Sequence, residues 1–124
     1  MSAADHLNQY QLRYQPLPKE FGPEMRHSIH VIDTKSSSGR EGVGHMQWAG
    51  NDWNGRIWDM AVDEDHQRRG LGTAMYQKAK RLAESSNGLI VPPAHSDTRT
   101  PAGDAWAQRV GGDLPALRNN RLVD

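Results

Sequence analysis

Alternation of apolar and polar residues in the first half of the chain predicts a set of short strands. A period of two is typical of a strand that buries one face and exposes the other. Glycine, proline and serine separate these segments, and Pro16 is expected to end the first of them because proline donates no hydrogen bond to a sheet. The predicted strands are Tyr10–Tyr14, His27–Ile32, Glu41–Ala49 and Arg56–Val62.

The second half of the chain changes to the spacing of helices. Apolar residues at positions 71, 74, 75, 79, 82 and 83 lie three or four apart and predict one buried face of a helix covering about Leu71–Ser85. Asn87 and Gly88 are expected to end it. A later helix is predicted over Pro101–Val110, with Thr100 as its N-cap and proline at its first position.

Between the two helices, the segment Leu89–Val91 predicts a short buried strand that Pro92 and Pro93 end. A strand–helix–strand order makes this strand parallel to the one before the helix, with the helix as the crossover. Two parallel strands that lose their pairing at one end leave a wedge between them, and such a wedge is a place for a ligand.

Length and charge narrow the functional classes. The 124 residues are expected to form one domain over residues 1–124. Fifteen basic and fifteen acidic residues leave no net charge. This balance argues against a general electrostatic attraction to nucleic acid or to an anionic membrane.

The absence of cysteine and the placement of the histidines exclude several kinds of site. The absence of cysteine excludes disulfides, thiolate zinc sites and a cysteine nucleophile. No metal site is expected either, since His27 and His30 would point to opposite faces of a strand. No apolar run is long enough for a signal peptide or a membrane span, and a cytoplasmic location is expected.

The loop before the first helix carries the most specific chemistry. It reads Gln67-Arg68-Arg69-Gly70-Leu71-Gly72-Thr73. Such a turn directs main-chain N–H groups and the positive end of the helix dipole at one point, which is typical of a phosphate or pyrophosphate site. A P-loop would need Lys and then Ser or Thr after its last glycine, and a dinucleotide site would need a third glycine. The continuation Thr73-Ala74-Met75-Tyr76 has neither.

The same loop matches the pattern Gln/Arg-x-x-Gly-x-Gly/Ala. The wider run W-D-M-A-V-D-E-D-H-Q-R-R-G-L-G-T-A-M-Y-Q-K-A-K resembles the central strand, loop and helix of the GNAT acetyltransferases, well from Gly55 to Glu84 and more weakly from Gly88 to Gly112. The resemblance implies an α/β fold with a mixed, mostly antiparallel twisted sheet, in which the fourth and fifth strands run parallel and splay around the cofactor, and few helices. It also implies acetyl-CoA (coenzyme A) as the cofactor and an N-acyltransferase reaction.

The resemblance further implies where the cofactor binds. Main-chain N–H groups from the loop would hold the pyrophosphate, with the glycines allowing close approach. The main chain of the preceding strand would pair with the amides of the pantetheine arm, and an N–H group near Met60 or Val62 would stabilise the oxyanion. The residues expected to bind the cofactor are Met60, Ala61, Val62, Gln67, Arg68, Arg69, Gly70, Leu71, Gly72 and Thr73.

Acetyl transfer to an amine also needs a base that takes a proton from the ammonium group. Asp59 is the leading candidate because it lies beside the expected thioester, flanked by Trp58 and Met60, which would desolvate it. A purely structural ion pair for Asp59 stays open as the alternative. The other candidate bases are Glu41, His45 and His95.

The acid for the leaving thiolate is where the chain departs from the family pattern. GNAT enzymes often carry a tyrosine in the helix after the fifth strand, in a stretch like A-x-x-Y-x-x-x-G, and here Ala107 takes that position. Ala107 has no proton to donate. Ser96 is therefore the candidate acid, with Thr100 or a bound water as alternatives.

A second departure concerns the acceptor. GNAT folds usually carry two helices between the first two strands, and residues Pro16–Arg26 are too few for them. The acceptor side is therefore expected to be open, or closed by a second copy in a homodimer, and to admit an amine on a small molecule, a protein or a peptide. Two other functions stay open: a non-catalytic coenzyme A-binding sensor or structural module, and a GNAT-like nucleobase modifier.

Overall fold

The computed structural model describes residues 9–17, 26–49, 55–97, 99–112 and 114–117. Four strands form one antiparallel sheet in the order of the chain, and a 3-10 turn at Glu64–His66 and two helices follow. Residues 50–54, between the third and fourth predicted strands, and residues 18–25, most of the short connection between the first two, lie outside the described residues. The strands are β1 (Tyr10–Leu17), β2 (Arg26–Asp33), β3 (Glu41–Trp48) and β4 (Ile57–Val62), and the helices are α1 (Leu71–Ser85) and α2 (Pro101–Val110).

The four predicted strands are confirmed, and the main difference is at the end of β1. The strand continues through Pro16 to Leu17, with Pro16 opposite His27 on β2. The expectation that Pro16 ends the strand is therefore wrong. β1 is the outermost strand of the described sheet, and an edge is where a sheet tolerates proline.

One face of the sheet carries the core, and α1 covers it. The helix buries Leu71, Met75, Tyr76 and Ala79, of which the spacing of apolar residues did not predict Tyr76. Apolar side chains of both edge strands pack against this core, and the fully buried side chains of the sheet come from its two inner strands. These residues are Ile29, Val31, Val43, Met46 and Trp48.

The bounds of both helices agree with the sequence prediction because local signals set them. Thr100 is the N-cap of α2, and its hydroxyl oxygen accepts a hydrogen bond from the Gly103 N–H at 3.0 Å. Gly70 is the N-cap of α1, with a left-handed φ of 77° that suits glycine. In the part of the chain that the structure describes, neither helix is long and apolar enough to cross a membrane.

The segment Leu89–Val91 does not form the predicted strand. The N–H groups of Leu89 and Ile90 bond the carbonyl and the hydroxyl of Ser86 in the turn after α1, and Leu89 is 83% exposed. The carbonyl of Val91 accepts a hydrogen bond from the indole N–H of Trp48 at 2.8 Å. These main-chain groups are thus occupied by turn and side-chain partners, which leaves them unavailable for a sheet.

The parallel relation to β4 is present only as a single bridge. The Ile57 N–H donates to the Ala94 carbonyl at 2.8 Å, and the Ala94 N–H donates to the Gly55 carbonyl at 2.9 Å. A Cβ on Gly55 would lie 2.1 Å from the carbonyl oxygen of Pro92, so the two chains can approach here only because residue 55 is glycine.

Strand β4 also carries a β-bulge. Gln47 of β3 pairs with Asp59 and Trp48 pairs with Ile57, which leaves Trp58 without a partner on β3. A bulge increases the local twist and bends the strand, and bulges are common beside active sites. The bend lies at Trp58, which directly precedes the candidate base Asp59.

Burial changes the acid–base properties of one pair in the core. The hydroxyl of Tyr14 and Nδ1 of His27 lie 2.7 Å apart, and the His27 ring packs against Trp48 with centroids 5.2 Å apart. Burial lowers the pKa of His27 and raises the pKa of Tyr14. Both shifts favour the neutral forms of the pair.

Replacement of the buried tryptophan tests the contact between β3 and the Val91 carbonyl. Trp48→Phe removes the indole donor, so we expect the free energy of unfolding to fall by about 1–3 kcal/mol. Trp58→Phe is the matched control, because Trp58 is 52% exposed, and should change stability by no more than about 0.5 kcal/mol. Urea unfolding measures both values, and equal stabilities of the two variants would contradict the account.

The lowered pKa of His27 predicts a pH-dependent stability. The unfolded chain takes up a proton near pH 6.5, where folded His27 still resists it, so stability falls as the pH drops through about 6.5. The fall stops once the pH lies below the pKa of the folded residue. His27→Gln should flatten this part of the curve in urea unfolding between pH 7.5 and pH 5. The same slope in the variant and the wild type would remove His27 as the cause.

Candidate active site

A cavity of about 300 Å³ lies between β4 and α2. Its walls are the β4 segment Ile57–Met60, the segment after the bridge at Ala94, and the helix α2 with Trp106 and Ala107. The two residues that the sequence analysis proposed for catalysis, Asp59 and Ser96, both line it. The fold therefore brings together side chains that are far apart in the sequence.

Asp59 has a partner that the sequence analysis treated as its competitor. Nε2 of His45 on β3 lies 3.0 Å from Oδ2 of Asp59 on β4, and the His45 and Asp59 side chains are 34% and 49% exposed. The strand register causes this contact, because His45 lies opposite Ala61 and is thereby diagonal to Asp59 on the same face. The two residues form a pair, and Asp59 also lines the cavity.

Ala107 is the residue that the family resemblance places where many members carry a tyrosine. Ala107 is buried and lines the cavity, where its methyl group offers no proton. Ser96 and Thr100 line the same cavity, so both candidate replacements have access to it. Glu41, at the first position of β3, is exposed and does not line this cavity.

The edge of β4 that leads from the cavity to the loop is open. Met60, Ala61 and Val62 pair with β3 on one side, and no described strand pairs with them on the other. The Val62 carbonyl accepts a hydrogen bond from Nε2 of Gln67. The main-chain groups that remain unpaired on that side can accept an additional extended chain.

The loop that follows β4 has the main-chain geometry of an anion site. Arg68 and Gly70 both adopt left-handed conformations, with φ of 64° and 77°. Alternation of this kind turns successive N–H groups toward one concave spot. The first turn of α1 contains no acidic residue, and Gly70 has no side chain to cap it. The helix dipole at this end therefore lacks a negative partner of its own.

Two predicted ligand side chains instead hold the loop in place. The amide Nε2 of Gln67 donates to the carbonyl of Val62 at 2.9 Å, and Nη1 of Arg69 donates to the hydroxyl of Tyr10 at 2.9 Å. An arginine can only donate, so the Tyr10 hydroxyl keeps its own hydrogen for Nδ1 of His66, 2.8 Å away. This network ties the loop to β1.

Arg68 differs from its neighbours in the loop. It is exposed, and its side chain forms no hydrogen bond or ion pair with another described residue. Its left-handed φ is also unusual for a residue other than glycine, asparagine or aspartate, and such conformations concentrate at functional sites. Arg68 is therefore the loop side chain best placed to meet a ligand.

The second glycine of the loop serves helix packing. A Cβ on Gly72 would lie 3.3 Å from Nε1 of Trp106, and the same indole donates to the Thr73 hydroxyl at 3.2 Å. Leu71 is buried in the core. A Cβ at residue 72 would therefore crowd the Trp106 indole, so helix packing alone favours glycine there. Of the two loop glycines, only Gly70 has open space where a Cβ would lie, with no atom within 4 Å.

A buried aromatic group that the sequence analysis did not anticipate forms one wall of the cavity. The His95 ring stacks on Tyr76 with centroids 5.3 Å apart and meets the edge of Trp106 at 5.4 Å. Because a carbonyl only accepts, Nε2 of His95 donates to the Gly111 carbonyl at 2.8 Å. His95 is 3% exposed, so it orders this wall and fixes the end of α2. Its partners come from three separate segments, which gives no sequence signal.

A buried arginine fixes the segment between the bridge and α2. Arg99 is 8% exposed, and its Nε donates to Oδ1 of Asp104 at 2.9 Å. Its Nη1 donates to the carbonyls of Ser96 and Pro115. The ion pair and these bonds tie the segment to α2, and they hold the Ser96 main chain beside the cavity.

The chain belongs to the acetyltransferase (GNAT) family, whose model matches residues 7–107. The match begins before β1 and ends within α2, and it includes the loop and both sides of the cavity. Family membership supports acyl transfer as the general reaction. A search of curated proteins gives no match.

The fold also resembles a solved acetyltransferase. An aminoglycoside acetyltransferase from an uncultured soil metagenomic sample superposes with a TM-score of 0.56 at 16% sequence identity, over 92% of this chain and 99% of that one. At this level of identity the likeness concerns the fold. It agrees with the mixed α/β architecture and the antiparallel sheet described above.

Proposed function

We propose that this chain transfers an acetyl group from acetyl-CoA to the nitrogen of an amine acceptor. The observation that carries the proposal is the course of β4. The bulged start of β4 lines the cavity and includes Asp59. The open edge of the strand is formed by Met60–Val62, and its end leads into the loop at the start of α1. A single extended cofactor would follow this path from the loop to the cavity.

The residues along this path suit coenzyme A. The main-chain N–H groups at the start of α1, together with the Arg68 guanidinium, would hold the pyrophosphate. The main chain of Met60–Val62 would pair with the pantetheine amides. Gln67, Arg69 and Thr73 contribute indirectly, since their side chains are bonded to Val62, Tyr10 and Trp106.

Acetyl-CoA supplies the acetyl group as a thioester, and the side chains in the cavity supply the proton transfers. Asp59 takes a proton from the ammonium group of the acceptor, because only the free amine has a lone pair for attack on the carbonyl carbon. His45 orients Asp59 through their hydrogen bond. Since the chain contains no cysteine, the amine attacks directly in a ternary complex rather than through a thioester on the protein.

Formation of the C–N bond and cleavage of the C–S bond would place negative charge first on the carbonyl oxygen and then on sulfur. A main-chain N–H near Met60 or Val62 would stabilise the first charge. Because Ala107 has no proton to donate, Ser96 would donate one to the thiolate, and the second proton that the nitrogen loses as the amide forms would restore the Ser96 hydroxyl. A thiolate is a modest base, so this last step needs less help than the loss of an alkoxide would.

A second candidate function rests on Ala107. A cavity wall without an acid also suits a protein that binds coenzyme A and no longer transfers the acetyl group. Thiol release from acetyl-CoA with a broad panel of amines separates the two. Binding of coenzyme A without thiol release above the uncatalysed rate would favour the sensor.

An acidic residue at the start of α1 tests the cofactor loop. Gly70→Asp places a carboxylate where the diphosphate would bind and should weaken coenzyme A by at least about tenfold in calorimetry. Gly70→Asn is the matched control, since both side chains tolerate a left-handed φ and cap helices well. Equal affinities of the two variants would refute a pyrophosphate site in this loop.

The base is tested by removal of its charge alone. Asp59→Asn should lower kcat/KM by about 10²–10⁴ and abolish the rise of log kcat/KM with pH that loss of the catalytic proton produces. Glu84→Gln makes the same change on the exposed side of α1 and should leave both the rate and the profile as they are. A pH profile of Asp59→Asn that matches the wild type would exclude Asp59 from the mechanism.

A further inference from the structure

A second depression adjoins the cavity on the other side of Trp58. It has a volume of about 210 Å³ and is lined by Arg26, Ala49, Arg56 and Trp58. We call it the arginine groove. Trp58 lines both the groove and the cavity, so the two lie next to each other. The groove is not part of the path proposed for coenzyme A.

The bulge in β4 explains why this tryptophan faces the groove. Trp58 has no partner on β3 and is 52% exposed, the largest exposure of any aromatic side chain in the described ranges. The guanidinium carbon of Arg26 lies 4.9 Å from the centroid of its ring. An arginine stacked on an exposed tryptophan offers a flat apolar surface and fixed hydrogen-bond donors at one place.

The described residues that line the groove include two arginines and no carboxylate. Arg26 has no carboxylate partner among the described residues. Nη1 of Arg56 lies 3.5 Å from Oδ1 of Asp97, which is longer than a well-formed charge-assisted hydrogen bond. Both arginines line the groove, and among the described residues one carboxylate, that of Asp97, lies within ion-pair distance of one of them. A guanidinium prefers planar oxyanions, which it binds through two parallel hydrogen bonds.

We propose that the acceptor is an amine that also carries an anionic group, a carboxylate or a phosphate-like group, which binds in the arginine groove while the amine enters the cavity. This inference rests on the proposed function. Trp58 and Asp59 are neighbours in the chain, with Cα atoms about 3.8 Å apart. The anionic group and the amine of the acceptor are therefore separated by a short spacer.

The same charges reject another class of acceptor. A polycationic amine would place further ammonium groups against Arg26 and Arg56, and repulsion of this kind is how sites discriminate between related ligands. Aminoglycosides carry several amino groups that are protonated near neutral pH. The arginine groove therefore predicts a substrate class different from the aminoglycosides after which the solved acetyltransferase is named.

The first test compares acceptors that differ only in charge. ω-Amino acids of two to six carbons are assayed with acetyl-CoA beside their primary amides, the matching aminoalkylphosphonates and an aminoglycoside. We expect kcat/KM for at least one anionic amine to exceed that of its amide by about tenfold or more, the effect of one charge-assisted hydrogen bond. The phosphonate arm decides between a carboxylate and a phosphate-like group.

The second test removes the charges. Arg26→Gln and Arg56→Gln should each bring the ratio of anionic acceptor to neutral amide toward one. Arg13→Gln removes an exposed arginine of β1 outside the groove and should keep the wild-type ratio. A ratio that survives both groove variants would overturn the assignment, as would amides or the aminoglycoside being used as well as the anionic amines.

Binding without turnover distinguishes this inference from the proposed function. Calorimetry of the same acceptors is carried out with the full chain saturated with free coenzyme A. Preferential binding of anionic amines together with no thiol release supports the groove and refutes the transferase. Thiol release with a preference for neutral or polycationic amines supports the transferase and refutes the groove.

Discussion

The unpaired edge of β4 is the constraint on which the rest of this molecule depends. If the segment after α1 paired along β4, neither the cavity nor an edge for an extended ligand would exist. Two features of the structure oppose this pairing. The Trp48 indole N–H occupies the carbonyl of Val91, and Pro92 and Pro93 have no N–H to offer, so the described residues of this segment form one bridge, at Ala94.

In the loop before α1, the side chains and the main chain have different roles. Gln67, Arg69 and Thr73 bond to groups on three other segments and so fix the path of the main chain. The main-chain N–H groups at the helix start are left for a ligand. A main-chain site of this kind depends on the conformation of the loop, and the network through Tyr10 maintains that conformation from a strand at the opposite edge of the sheet.

Sequence reasoning predicted the elements whose signals are local. The N-cap Thr100, the stop at Asn87 and Gly88, and the spacing of apolar residues predicted the helix bounds, and the loop motif indicated the family. The errors have distant causes. Leu89–Val91 is apolar and strand-like, but its partner Trp48 lies 43 residues away. The packing of Trp106 against Gly72 was likewise not predicted, because nothing in the sequence places the two together.

The candidate site was also predicted where the signal is local and missed where the cause is distant. Asp59 and Ser96 were predicted from chemistry and family pattern, and the structure places both in one cavity. The pairing of Asp59 with His45 depends on strand register, which the sequence did not determine, so the two appeared as alternatives. The arginine groove depends on a bulge at Trp58 and on Arg26 from another strand, and no contiguous motif contains both.

The central claim is that main-chain groups along β4 and at the start of α1 bind coenzyme A. Amide chemical shifts of the ¹⁵N-labelled chain, titrated with coenzyme A, test it most directly because they report each N–H separately. The account predicts that the largest changes fall on Arg69–Thr73 and on Met60–Val62. Saturable changes that leave these amides unmoved, or no changes at millimolar coenzyme A, would contradict it.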